Sequence, residues 1–219
     1  MTPTIIKNAT LYNCDCMELM KQYPDNHFDL AIVDPPYGIG IVQEFEKTVK
    51  SKSSMMKGSN GIVGGHWDDA IPKKDYFDEL MRISKNQIIW GGNYFLDFLT
   101  NTRCFLIWDK MNGTNPMADA ELAWSSFDSS VRMFRMHHFS HGYDSKIHPT
   151  QKPVKLYEWL LTNYAKQGDK ILDTHLGSGS HAIACNNLGF ELTACELDED
   201  YFKASVERIK REAQQERLF

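Results

Sequence analysis

Long apolar runs are missing from this chain. No stretch of its 219 residues approaches the roughly 18 apolar positions of a membrane-spanning helix, so no membrane is expected. The opening residues, Met1-Thr2-Pro3-Thr4-Ile5-Ile6-Lys7, lack a signal-peptide pattern. Paired cysteines are missing too. Cys14, Cys16, Cys104, Cys185 and Cys195 contain no CxxC spacing, and Cys14-Asp15-Cys16 has no second ligand pair to build a zinc site. Three of these cysteines fall in apolar strand or helix patterns, which points to a reduced cytoplasmic setting and no metal. Positive charge is not in excess. The formal net charge is −5, which argues against broad electrostatic wrapping of nucleic acid but leaves local basic faces open. Internal repeats are absent, and polar low complexity is confined to the residues after Gly40.

What is present alternates. Strand-like segments at 9–14, 28–33, 87–90, 104–108, 170–173 and 191–195 are interleaved with helix-like segments at 16–22, 75–82, 94–99, 154–164, 181–188 and from about 200 onward. That alternation is the α/β signature. Hydrophobic residues at 42% and charged residues at 24% are ordinary for a globular chain, and the length suits one domain over 1–219. Two stretches break the alternation. Residues 38–66 are rich in Lys, Ser, Gly and Met, with Lys47, Lys50, Lys52 and Lys57 among them, and read as a mobile loop over a site. Residues 109–149 lose helical periodicity, hold two strand-like runs at 121–126 and 131–137, and read as a small irregular insert on the sheet. Basic side chains gather in and beyond it: Arg132, Arg135, His137, His138, His141, Lys146, His148 and Lys152.

The sharpest signal is Asp34-Pro35-Pro36-Tyr37, at the carboxyl end of the buried strand Phe28-Asp29-Leu30-Ala31-Ile32-Val33. Ligands of an open α/β sheet bind outside that edge. The two prolines stop the sheet ladder and stiffen the turn. An acceptor, a rigid turn and an aromatic face together suit a planar ring bearing an amino group.

A second signal is a glycine turn. Ile171-Leu172-Asp173 ends a strand, then Leu176-Gly177-Ser178-Gly179-Ser180 leads into a helix, with Ala182 as the next small residue. Glu196 ends the following strand roughly twenty residues after Asp173, where a carboxylate can hold ribose hydroxyls. The turn alone fits NAD, FAD or S-adenosylmethionine. Asp173 favours the last, because an acid there repels a pyrophosphate and attracts an ammonium. One helix follows Glu196, so the strands that complete this half must come from the N-terminal half. The sheet is therefore expected to be circularly permuted.

With these residues in place, the chain resembles the amino-methylating DNA methyltransferases, in the group whose catalytic motif precedes the cofactor motif. Asp34-Pro35-Pro36-Tyr37 is similar to the family's catalytic tetrapeptide, Asp173 to Ser180 to its cofactor loop and Glu196 to its ribose-binding acid. His148-Pro149-Thr150-Gln151-Lys152-Pro153 is similar to the segment that opens the helix before that loop. Asn13-Cys14-Asp15-Cys16 is similar to the segment whose acid meets the adenine. Leu176 stands where the family usually has an aromatic residue, and Cys14 where it usually has glycine.

The resemblance implies a Rossmann-like S-adenosylmethionine-dependent methyltransferase fold, with a mostly parallel sheet and helices on both faces. It implies catalysis by Asp34, Pro35, Pro36 and Tyr37. It implies cofactor contacts from Asp15, Cys16, Asp34, Thr150, Lys152, Asp173, Leu176, Gly177, Ser178, Gly179, Ser180, Glu196 and Leu197. Double-stranded DNA is the implied partner, with residues 109–149 as the target-recognition insert. A bacterial or phage source, a homodimer and a restriction endonuclease counterpart belong to the same picture. Among family members, Asp at the first motif position goes more often with adenine N6 and Ser with cytosine N4. Cytosine C5 chemistry is not expected, since no Pro-Cys pair offers the nucleophile. Trp90, Trp108 and Trp124 read as core or pocket wall, and Asn93 and Tyr94 as pocket edge. The three histidines at 137, 138 and 141 suit solvent or phosphate contact. A nicotinamide or flavin enzyme is the rival reading, and it leaves Asp34 to Tyr37 without a task.

Overall fold

A computed structural model of the chain describes residues 1–40, 68, 70–113, 118–137, 147, 148 and 150–214. Its elements run β1 (Thr4–Ile6), β2 (Ala9–Asn13), α1 (Cys16–Met20), β3 (Phe28–Val33), α2 (Lys74–Ile83) and β4 (Ser84–Trp90). After a 3₁₀ turn at Gly92–Tyr94 come β5 (Leu106–Asp109), β6 (Ala120–Ser125), β7 (Arg132–Arg135), α3 (Val154–Tyr164), β8 (Lys170–Asp173), α4 (Ser180–Leu188), β9 (Glu191–Glu196) and α5 (Glu199–Gln214).

The strands form one nine-stranded sheet in the order β1-β2-β9-β8-β3-β4-β6-β5-β7. From β2 to β4 the neighbours are parallel, while β1 and β6 run antiparallel to theirs. The central strand β3 is apolar and buried over nearly its whole length, as a strand covered on both faces must be. Leu30 and Ile32 pack with Ile171 against Leu156 and Leu160 of α3, Ile183 of α4 and Ile209 of α5. Ala31 and Val33 face the other way, with Leu172, onto Tyr76, Phe77 and Leu80 of α2 and Met20 at the end of α1. Each such side chain contributes roughly 1.5–3 kcal/mol on burial. The expected layers, sheet inside and helices on both faces, are therefore present.

Three expectations change. The helix expected over 94–99 does not form. Phe95 and Phe98 both pack on the Phe77 ring, at 5.2 and 5.3 Å, and gripping that one ring turns the chain after the 3₁₀ segment. Residues 120–135 do not sit on the sheet as an insert. β6 enters it between β4 and β5, pairing Ile88 with Ser125 and Leu106 with Ala123, because Ala123 and Trp124 have apolar faces to bury. The short edge strand β1 was not anticipated; Lys7, with φ of 51°, turns it back onto β2. Residues 41–66 of the expected loop, and His138, His141, Lys146 and Pro149, lie outside the described residues.

Candidate active site

Parallel pairing sends five strand ends to one edge. Asn13 is level with Glu196, Asp173 with Ala194 and Val33 with Ile89. β8 continues through α4 to β9 on one side, whereas β3 leads to β4 on the other. The crevice between β8 and β3 is thus the topological switch point, where ligands of such sheets bind. A cavity of about 210 Å³ opens there. Its wall includes the expected Asp15, Cys16, Asp34, Pro36, Thr150, Lys152, Leu176, Gly177, Ser178, Ser180, Glu196 and Leu197.

The glycine turn explains one side of the cavity. Gly177 and Gly179 have φ of 51° and 76°, a region that side chains with a Cβ disfavour. A Cβ on Gly179 would also stand 2.8 Å from Ile209 Cδ1, so α5 packs against bare backbone. Arg208 of α5 donates to the Ser178 carbonyl at 2.7 Å and to Ser180 Oγ at 2.9 Å, fastening the turn from behind. Burial brings the Arg208 guanidinium down to about 10, so it remains charged at neutral pH. Glu196 accepts from the Gly177 N–H at 2.9 Å and the Asp198 N–H at 3.1 Å. Burial still pushes its carboxyl upward, against those two donors. Asp15 caps α1 by accepting from the Met17 and Glu18 N–H groups, and burial with Asp15 beside it pushes the Cys16 thiol to about 12. Cys16 is therefore a neutral wall, not a nucleophile.

Asp173 departs from expectation. It is 2% exposed and does not reach the cavity; it accepts from the His175 N–H at 3.0 Å and pairs with His181 Nδ1 at 3.1 Å. A carboxylate at a strand end has to find partners when a helix covers it, and here the chain supplies them. Thr174 and His175 face the cavity in its place. Burial lowers His175 to about 4, although Asp173 and Asp15 pull the other way, so its ring is neutral. Gly179, Pro35 and Tyr37 also lie off the wall. Cavity residues missed by sequence reasoning include Gln151, Tyr157 and Tyr201. Tyr157 falls one helical turn after Pro153, a spacing that could have flagged it.

The other side is built from charge. Tyr37 donates its hydroxyl to Asp34 Oδ1 at 2.5 Å, and Lys152 Nζ donates to Asp34 Oδ2 at 2.5 Å. The Lys152 side chain is only 2% exposed and also meets Glu121 at 2.9 Å, while Lys110 meets Glu121 at 2.5 Å. Four alternating charges thus run from β3 through the entrance of α3 to β6 and the end of β5. Burial works against the Lys152 charge, but Asp34 and Glu121 outweigh it and raise its pKa. Burial likewise pushes Glu121 up, yet Lys152 and Lys110 bring it to about 2. Asp34 is raised by burial, with Lys152 opposing. The tetrapeptide turn is held by Asp68, whose Oδ1 accepts from the Tyr37 and Gly38 N–H groups at 2.8 and 2.9 Å. Gly91 crowds Tyr37 so closely that a Cβ there would lie 2.2 Å from the ring, and Tyr94 stacks on Tyr37 at 5.0 Å and 14°. Neither Glu121 nor Asp68 lies in a recognisable motif.

An open α/β sheet with a glycine turn, a paired acid and an acidic tetrapeptide at its switch point defines a Rossmann-like methyltransferase fold. Residues 89–207, more than half of the chain, match the family model described as DNA methylase, and the chain belongs to that family. The type II methyltransferase M.HpaI of Haemophilus parainfluenzae is 24% identical over 90% of this chain and 73% of its own. The crystal structure of the M1.HpyAVI–SAM complex superimposes with a TM-score of 0.62 at 20% identity, covering 92% of this chain and 98% of that one. PvuII DNA methyltransferase, described as cytosine-N4-specific, does so with 0.60 at 14% identity, covering 94% and 91%. Among the described residues no helix is long and apolar enough to cross a membrane.

Proposed function

We propose that the chain transfers a methyl group from S-adenosylmethionine to the N6 amine of an adenine flipped out of double-stranded DNA. The observation that carries the reading is the placement of Asp34 on the same cavity wall as the glycine turn and Glu196. The donor set suits the cofactor. Glu196 offers carboxylate oxygens to ribose hydroxyls, Asp15 stands ready for the adenine, and Gly177 lets the backbone come close. Thr150, Lys152, Leu176, Ser178, Ser180 and Leu197 line the rest. Bound there, S-adenosylmethionine supplies an electrophilic methyl group on a sulfonium.

The protein's own part is to make a poor nucleophile reactive. An exocyclic amine shares its lone pair with the ring. Asp34 accepts one amine hydrogen and the Pro35 carbonyl the other, which draws the nitrogen toward tetrahedral geometry. A carboxylate has about four acceptor positions, so the bonds from Tyr37 and Lys152 leave Asp34 capacity for the amine. Positive charge developing on nitrogen is stabilised by Asp34, which then takes the departing proton at a carboxylate oxygen. Pro36 fixes the turn. A base inside a duplex cannot reach this edge and must be flipped out. Tyr37 is backed by the exposed ring of Tyr94, and an aromatic surface here is worth roughly 1–3 kcal/mol per stacked base. Exposed Arg132 and Arg135 of β7 suit phosphate contact. Target recognition by residues 109–149, the loop over 38–66, a homodimer and an endonuclease counterpart belong to the same proposal.

Asp at the first motif position supports adenine. The cytosine alternative has its own support in the likeness to the PvuII enzyme. Methylating DNA with labelled cofactor and digesting it to nucleosides decides between them. N6-methyladenine is expected; N4-methylcytosine alone overturns the adenine choice, and no labelled nucleoside overturns the function.

A further inference from the structure

Lys152 is a buried cation placed between two carboxylates from unconnected strands. Asp34 ends β3 and Glu121 lies on β6, and the Lys152 ammonium meets them at 2.5 and 2.9 Å. Only Asp34 reaches the cavity; Glu121 does not. A cation shared by two anions neutralises neither fully. If Lys152 belonged to Asp34 alone, the pair would approach a closed dipole, and the carboxylate would be a weak acceptor for an amine. Glu121 itself is shared, since Lys110 holds its other oxygen at 2.5 Å. The row is therefore a divider whose setting depends on each member.

We propose that Glu121 is a positioning residue for methyl transfer: it draws part of the Lys152 ammonium away from Asp34, keeping the Asp34 carboxylate aimed and strongly accepting. This rests on the amine-methylation reading of the site. Other titratable groups facing the row are Tyr37 on the same turn and Tyr157 on α3. Both stay in place in the variants below, so changes report on the row.

The two ends of the row predict opposite signs. In Glu121→Gln the negative neighbour of Asp34 is gone and Lys152 turns wholly to Asp34, so Asp34 loses its proton at lower pH. In Lys110→Met, Glu121 is unshared and pulls harder on Lys152, so Asp34 loses its proton at higher pH. The acidic limb of the kcat profile should move down in the first and up in the second. In Glu121→Gln kcat should fall by about tenfold or more, a part of the roughly 10²–10³ that a direct electrostatic contact supplies. Glu121→Asp should restore part of it. Cofactor binding by calorimetry should hold in both. The Asp34 carboxyl-carbon NMR titration reads the same shifts without turnover, so it still judges the divider if the chain methylates no DNA. It also serves if Glu121→Gln does not fold, through Lys110→Met alone. Limbs or titrations that do not move, that move in the same direction, or that come with lost cofactor affinity overturn the inference.

Discussion

The two sides of the cavity hold their carboxylates by different means. On the glycine-turn side, Glu196 is tied by backbone N–H groups of Gly177 and Asp198, and Asp173 by His175 N–H and His181. All but one of these donors are peptide groups, from the glycine turn and from the turn that follows β9. On the tetrapeptide side, Asp34 is held by the side chains of Tyr37 and Lys152, and Lys152 by Glu121. Backbone donors are fixed once the fold forms and tolerate changes of side chain nearby. A row of side-chain charges depends on every member. The first arrangement suits a binding surface for a constant ligand, and the second suits a group whose basicity matters.

That contrast predicts different failures. Asp34→Ala should cost the largest factor, at least about 10²–10³ in kcat, with cofactor affinity retained. A methyl-transfer assay beside calorimetry checks it, and wild-type turnover would erase the distinction between the sides. Lys152→Met removes the cation between Asp34 and Glu121, leaving Asp34 with the Tyr37 hydroxyl and Glu121 with Lys110. Breaking a buried pair this way costs roughly 3–5 kcal/mol, here at the lower end because both carboxylates keep some solvent. Urea unfolding measures it, and a loss below 1 kcal/mol (about the worth of a surface pair) would mean the row is merely a surface feature.

Glu196→Gln keeps one acceptor oxygen and loses the other. Cofactor affinity should fall by about ten- to a hundredfold, the roughly 1.5–3 kcal/mol of a charged hydrogen bond, with kcat at saturation little changed. The smallest effect concerns pH. His175 holds its proton only below about 4 in the fold, against an ordinary 6.5. The unfolded chain protonates first, so stability present above pH 6.5 should be lost as pH falls toward 4. The size is on the order of 1–3 kcal/mol, and His175→Asn should flatten that stretch of the stability profile.

The same contrast explains what could be read in advance. The glycine-turn side is local: Leu176 to Ser180 fold as one turn, and Glu196 follows after one helix and one strand. Its residue types and spacing therefore announce it. Asp173 was legible as a strand-end acid but not as a buried one, because its partner His181 depends on how α4 sits. The tetrapeptide announces itself for the same local reason. Its holders do not. Lys152 was placed with the cofactor, and its bond to Asp34 spans 118 residues of sequence. Glu121 could not be found, since nothing in Ala120–Ser125 differs from an ordinary strand whose apolar residues face a core. The same strand misled the reading of 109–149, because a sheet position between β4 and β5 is set by tertiary pairing rather than by pattern.

The parallel register has a further consequence for how the protein is made. β2 pairs with β9, and β3 with β8, so Asn13 waits for Glu196 and Leu30 for Ile171. A chain emerging from the ribosome carries β2 and β3 with an open edge until the last two strands have been synthesised. Such distant contacts slow folding, because the loop must close before the pairing rewards it. During that interval the apolar strand Phe28–Val33 has one edge open to pairing with another chain. Expression slowed or cooled before β8 is complete should thus trade yield against aggregation at this one strand.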